Sequence, residues 1–279
     1  MPPGPSSPPR AGHSARPARP ARTGLAVGVV GAFTLAAALA LALALSGCGE
    51  PGSTRPLSAA LARQVAGPKF TPPVPGQVAK STELATVRRA APRYASPGRL
   101  ATGTVPASWY QRPSVLPVIA ATPGWVEVRL AQRPNESTAW LAASDVRLST
   151  TPYEIVVDLA TTRLSLFDDG RLVFSAPAGV GTTGDPTPIG QYFVAFDEPP
   201  PQPNPGYGPF IVVTSAHSPT ISDWEGSGDA VIGIHGPLGE DSEIGTSGAK
   251  ISHGCIRLHD HALEQLAKVP PGTPIDIVR

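Results

Sequence analysis

The chain has 279 residues, which is room for one or two folded domains once its ends are trimmed. A net charge of +1 and a charged fraction of 15% exclude nucleic-acid binding, which needs a concentrated basic face. Aromatics at 6% and a single methionine point to cores of valine, leucine and isoleucine, and many of the 35 prolines lie outside the segments that pattern as folded.

Residues 1–48 read as targeting rather than fold. Arg10, Arg16, Arg19 and Arg22 precede an uncharged Ala/Leu-rich stretch from Gly24 to Leu45, long enough to span a bilayer as a helix. Directly behind it, Leu45-Ser46-Gly47-Cys48 has the form at which a bacterial lipoprotein precursor is cut and lipidated at Cys48. Lipidated or left as an uncleaved anchor, the segment keeps its arginines in the cytoplasm and the rest of the chain in the cell envelope, on the outer face of the cytoplasmic membrane. Acyl chains on Cys48 would hold it there, at about 0.8 kcal/mol per buried CH₂.

Residues 49–97 are rich in Pro, Ala, Gly and Ser and read as a flexible linker, with short helices at Leu61–Val65 and Leu84–Val87. Residues 98–149 change to short β signals. These are Val115–Ile119, then Trp125–Leu130 with Val126, Val128 and Leu130 alternating inward, a turn over Arg133–Ser137, Trp140-Leu141 and Val146–Leu148. The segment resembles a small SH3-like β module.

Residues 150–279 form a second β region. Strands are expected at Ile155–Leu159, Arg163–Phe167, Leu172–Phe174, Gln191–Phe196, Phe210–Thr214, Val231–His235 and Ile275–Val278, with Asp169-Gly170 as a tight hairpin turn. Asp260 is expected to cap one C-terminal helix that Pro270-Pro271-Gly272 stops near Val269. The whole chain is thus mainly β, and this region reads as a sandwich or barrel. Its long loops, Pro199–Pro209 and Pro237–Lys250, suit a binding cleft.

With Cys48 explained, Cys255 is the one thiol left, in Ser252-His253-Gly254-Cys255-Ile256-Arg257. Thiol attack on an amide needs a thiolate, a group to take and return a proton, and donors for the oxyanion. His235 and His253 are both candidate bases. The N–H groups of Gly254 and Cys255 are candidate oxyanion donors, and a nearby imidazole is expected to shift the thiol toward thiolate. His253 and Cys255, two apart, would point the same way on a strand, whereas His235 must arrive from the end of Val231–Ile234, with the Gly236 carbonyl to orient it. Alternatives are a buried structural cysteine, or a zinc site among His235, His253, Cys255, His259, Asp260 and His261, whose spacing matches no common paired motif. Asp158, Asp168 and Asp169 read as strand and turn residues, which leaves a two-carboxylate hydrolase without support.

His235-Gly236 followed by Ser252-His253-Gly254-Cys255, with Thr187-Pro188-Ile189-Gly190 upstream, resembles the signature of the L,D-transpeptidase catalytic domain, the YkuD-like family, over about Tyr153 to Arg279. The resemblance implies a β-sandwich enzyme without cofactor or metal that forms 3→3 cross-links between peptidoglycan stem peptides. It implies Cys255 as nucleophile and His235 as general base and acid. Gly236, Ser252, His253 and Gly254 would shape the site and its oxyanion pocket, with Arg257 meeting a carboxylate or bracing the loop. It also implies donor and acceptor stem peptides as partners and carbapenem-type β-lactams as covalent inhibitors. His259 departs from the asparagine common in the family. Two other functions fit the same residues: an L,D-carboxypeptidase with water as acceptor, and a non-catalytic wall-binding lipoprotein.

Overall fold

The computed structural model describes residues 77–202, 204–246 and 248–279. The anchor expected at 1–48, with Cys48, and the linker as far as residue 76 lie outside the described residues. Among those described, no helix is long and apolar enough to cross a membrane.

The first β layer contains β1 (Thr82–Val87), β2 (Ala91–Tyr94), β3 (Ala101–Val105), the small hairpin β4 (Ser108–Trp109) and β5 (Arg112–Pro113), β6 (Val115–Thr122), β7 (Trp125–Arg129), β8 (Thr138–Ala142) and β9 (Val146–Thr151). Seven of these make one sheet in the order β3-β2-β8-β7-β6-β1-β9. Val126 and Val128 alternate inward as the sequence suggests, joined in the core by Val118, Leu141 and Val146.

The linker expectation is corrected at its C-terminal end. Leu84–Val87 is part of strand β1 rather than a helix, and β2 follows at once, so the folded module begins before residue 98. β1 lies between β6 and β9, antiparallel to both, with Leu84, Ala85 and Val87 buried. Ladder bonds on both sides and burial outweigh the modest helical preference of Leu-Ala.

The second β layer contains β10 (Tyr153–Asp158), β11 (Arg163–Asp168), β12 (Arg171–Pro177), β13 (Val180–Gly181), β14 (Gly190–Glu198), β15 (Ile211–His217), β16 (Val231–His235), β17 (Lys250–Ser252), β18 (Ile256–Arg257) and β19 (Pro274–Val278). Eight form a mixed sheet in the order β12-β11-β10-β19-β14-β15-β16-β18, and β13 pairs with β17 beside it. Asp169 and Gly170 both take positive φ, 51° and 72°, the primed turn that matches strand twist. Residues from opposite ends of the order, Leu164 and Leu166 on β11 and Ile234 and Ile256 on β16 and β18, share one core, so the sheet wraps around it. Burial of each such side chain contributes roughly 1.5–3 kcal/mol.

The helix differs from expectation. α1 spans Asp260–Leu263 and passes directly into a 3₁₀ turn at Glu264–Leu266. His259 occupies the cap position, and Asp260 is the first helical residue, making no capping bond. Its negative charge in the first turn still complements the helix dipole.

β14 joins the two layers. Tyr192 and Val194 point into the core of the second layer, whereas Phe193, Ala195 and Phe196 pack with β6 and β7 residues of the first. A strand covered on both faces reads as the unbroken apolar run Tyr192–Phe196 instead of an alternating one.

Candidate active site

β16 carries His235 and Gly233, and it pairs in parallel with β18, Ile234 opposite Ile256 and His235 opposite Arg257. Extending that register by one residue sets Cys255 beside Gly233, and residues two apart on a strand share a face. The Gly233 N–H accordingly meets Cys255 Sγ at 3.4 Å. His235, Cys255 and Arg257 therefore project from adjacent strands toward one side. All three line a cleft of about 560 Å³, within the usual size range of small-molecule sites.

The turn before Cys255 is held by Ser252, which is buried. Its hydroxyl donates to the Cys255 carbonyl (2.5 Å) and accepts from the Gly254 N–H (3.1 Å). Gly254 has φ +117°, and a Cβ there would lie 2.8 Å from Ile232 Cδ1. Glycine is thus required by both backbone conformation and space. The Gly254 N–H, one of the two expected oxyanion donors, is directed into the turn rather than at the cleft. Outside the turn, the Thr187 hydroxyl donates to the Gly254 carbonyl (2.8 Å) and accepts from the Gly181 N–H (2.8 Å).

His235 is 3% exposed, and its Nδ1 is 2.7 Å from the Gly236 carbonyl. A carbonyl only accepts, so Nδ1 carries the proton and Nε2 of the neutral ring is left as an acceptor. Tyr207 covers the imidazole edge-on, with ring centroids 4.9 Å apart, from a 3₁₀ turn at Pro205–Tyr207. That turn is docked by the Gly236 N–H on the Tyr207 carbonyl (2.7 Å). A Cβ on Gly236 would sit 2.6 Å from the Gly208 nitrogen, so the docking requires glycine at 236.

Burial pushes the His235 imidazole down to about 4, helped by the nearby Arg257 charge and opposed by the Gly236 carbonyl. Burial pushes the Cys255 thiol up, with the Gly233 N–H and Arg257 opposing it. Both shifts favour uncharged forms, so at neutral pH the resting site holds a thiol and a neutral imidazole. The sequence expectation of a thiol drawn toward thiolate is reversed. Desolvation disfavours both ions at once, and it outweighs the help an imidazole offers in open solvent.

His253 lies in the bend between β17 and β18, not on a strand with Cys255, and its side chain is 62% exposed. It lines the same cleft, 5.4 Å from the ring of Trp224, with Nε2 4.0 Å from Asp185 Oδ2. Arg257 is nearly buried and pairs through one guanidinium nitrogen with Glu240 of the 237–250 loop. His259 stacks against His261 and meets Asp241 at 3.2 Å. Among the described residues, no three His, Cys, Asp or Glu side chains converge as a metal site.

Sequence reasoning missed Tyr207, Trp224 and Gly233. Tyr207 carries a faint signal in its Gly-Tyr-Gly setting, and the other two carry none.

An imidazole and a thiol facing one open cleft from adjacent strands, in a wrapped mixed sheet, define the architectural class. Residues 152–277 match the L,D-transpeptidase catalytic domain family, YkuD. The YkuD protein of Bacillus licheniformis is 36% identical over 129 residues, covering 46% of this chain and 67% of that protein. The Bacillus subtilis YkuD is 32% identical over 131 residues, 47% of this chain and 68% of that protein. Among solved structures, an L,D-transpeptidase from Mycobacterium smegmatis is similar at 22% identity and a TM-score of 0.33, over 56% of this chain and 91% of that one. The chain belongs to the YkuD L,D-transpeptidase catalytic domain family.

Proposed function

We propose that the protein is a cysteine acyltransferase that forms 3→3 cross-links between peptidoglycan stem peptides. Cys255 serves as nucleophile and His235 as base and acid. The observation that carries this reading is the shared cleft, into which the Cys255 and His235 side chains project from adjacent strands.

Because both groups rest neutral, attack and proton transfer are coupled. The Cys255 thiol passes its proton to His235 Nε2 as sulfur bonds to the carbonyl carbon of the third stem residue. His235 returns that proton to the departing D-alanine amine, the C–N bond breaks, and a thioester remains. The side-chain amine of a second stem then attacks the thioester and gives its proton to His235. Collapse releases the new amide, and the proton returns to sulfur. The oxyanion in each half is assigned to the Cys255 N–H, because the Gly254 N–H is held by Ser252. Arg257 lines the same cleft, and with a guanidinium nitrogen already engaged by Glu240 its role is to brace the 237–250 loop beside the site.

An open thiol site of this kind is also expected to be acylated by carbapenem-type β-lactams. The Arg10–Cys48 segment is read as the lipid or helical anchor that keeps the enzyme on the outer face of the cytoplasmic membrane.

The test is intact-protein mass spectrometry after exposure to a stem tetrapeptide. The wild type should gain an acyl adduct and give dimers when an acceptor stem is added. Cys255→Ala should do neither, and undiminished dimer formation by that variant would overturn the reading. Tripeptide product alone, with acceptor present, would make water the acceptor and the enzyme a carboxypeptidase.

A further inference from the structure

The chain between β15 and β16, residues 218–230, contains turns and bends without a strand or helix of its own. Yet Ile221, Trp224 and Asp229 of this segment line the cleft that holds Cys255. Without a strand or helix of its own, the segment is held by bonds within it, such as Ser218 N–H to the Ala230 carbonyl (2.8 Å) and Trp224 N–H to the Asp229 carbonyl (2.8 Å), and by partners from outside. Among the outside partners are side chains of the first β layer, from the turn between β7 and β8.

Arg133 uses all three guanidinium nitrogens on this one segment. Nε donates to Asp229 Oδ1 (2.9 Å), and the terminal nitrogens donate to the Ser218 carbonyl (2.8 Å) and the Ile221 carbonyl (2.9 Å). Asn135 grips the residue before the segment through both ends of its amide, donating to the His217 carbonyl (2.8 Å) and accepting from the His217 N–H (2.9 Å). The His217 side chain is 2% exposed, and its Nε2 is 3.1 Å from Asp229 Oδ2. Burial holds its imidazole below the ordinary range and so neutral, which makes Nε2–H the donor to that carboxylate. Arg133, Asp229 and His217 thus tie the two ends of the segment together, with Trp224 on the span between them.

Simple adhesion between the layers does not account for this arrangement. Phe193, Ala195 and Phe196 already bury an apolar interface with β6 and β7, and Arg129 bonds Gln191 there. The Arg133 bonds go instead to the carbonyls of Ser218 and Ile221 and the carboxylate of Asp229, all three cleft-lining residues, and a planar fork with fixed donors suits such a role.

We infer that Arg133 and Asn135 are positioning residues of the substrate site: the first β module holds the 217–229 wall of the cleft in the shape that receives the donor peptide. The inference rests on the function proposed above.

The experiment uses the full chain as wild type, Arg133→Ala and Arg133→Lys. It reads Cys255 acylation against tetrapeptide concentration by intact mass, and amide hydrogen exchange across 218–230. Loss of this fork should raise the half-saturating donor concentration about tenfold in Arg133→Ala. The rate at saturation should change much less, and exchange should quicken across 218–230 but not in β16. Arg133→Lys keeps a charge toward Asp229 but cannot reach both carbonyls, and should fall between the other two. If Arg133→Ala does not fold, Arg133→Lys carries the same comparison. Unchanged half-saturation and unchanged exchange in a folded variant, with only a lower melting temperature, would overturn the inference. A wild type that shows no acylation would instead overturn the functional reading beneath it.

Discussion

Thr187 and Gly254 are joined by a 2.8 Å hydrogen bond from the threonine hydroxyl to the glycine carbonyl, across 67 positions of sequence. The same hydroxyl accepts the Gly181 N–H, so one buried oxygen fixes the turn before Cys255 to the strand β13. Thr187→Val keeps the shape and removes both bonds, leaving two buried backbone groups unsatisfied. Expected is a loss of about 1–3 kcal/mol in stability by denaturant unfolding, together with slower acylation of Cys255 by stem peptide. No change in either would mean that the hydroxyl is not what holds the turn.

Gly254→Ala combines an unfavourable positive φ with a contact to Ile232 Cδ1 at 2.8 Å. Backbone strain alone contributes about 1–3 kcal/mol of destabilisation. Gly254→Ala/Ile232→Val deletes the clashing methyl and leaves the strain. It should recover part of the lost melting temperature, measured calorimetrically, but not all of it.

His235 titrates near 4 in the folded protein, against the ordinary 6.5 in the unfolded chain. Between those values the unfolded chain binds the proton and the folded one does not. The contribution to stability is therefore full above pH 6.5 and is lost as pH falls toward 4, up to about 3 kcal/mol for this nearly buried group. Glu154, raised to about 7 by burial, slopes the opposite way over an overlapping range. The measurement is therefore the difference between wild type and His235→Asn in unfolding free energy from pH 7 to pH 4.5. The wild type should lose stability on acidification relative to the variant, and parallel curves would refute the buried neutral imidazole.

With the thiol pushed up and the imidazole pushed down, the resting site favours the neutral thiol–imidazole pair over the thiolate–imidazolium one. Alkylation of Cys255 by iodoacetamide should therefore be slow at pH 5–7 and climb through the alkaline range. A reactive plateau already present near pH 5 would contradict this. A carbapenem, whose carbonyl can draw the coupled proton transfer, should still add one adduct mass at neutral pH in wild type and none in Cys255→Ala.

Most strands of the second layer were legible because their signals are local. The β-branched residues of β10 and β16 and the alternating Leu164 and Leu166 of β11 predict those strands, and Asp169-Gly170 predicts its hairpin. β1 was not legible, because a central strand flanked by two partners owes its conformation to residues far along the chain. The helix shortened to Asp260–Leu263 for a related reason: four residues and a 3₁₀ turn suffice to cover the core, whatever length the stop signal allows.

By itself, the sequence determined the inventory of the candidate site: a thiol directly after a glycine, a histidine ending an apolar strand, and two further motif elements. Residue types and short spacings are local properties, and they survive without coordinates. Only the tertiary structure decided the protonation of the pair, the direction of the Gly254 N–H and the supply of a cleft wall from Arg133 and Asn135. The first depends on desolvation, the second on a turn that Ser252 and the distant Thr187 hold together, and the third on bonds that form only when the two β layers close on one another.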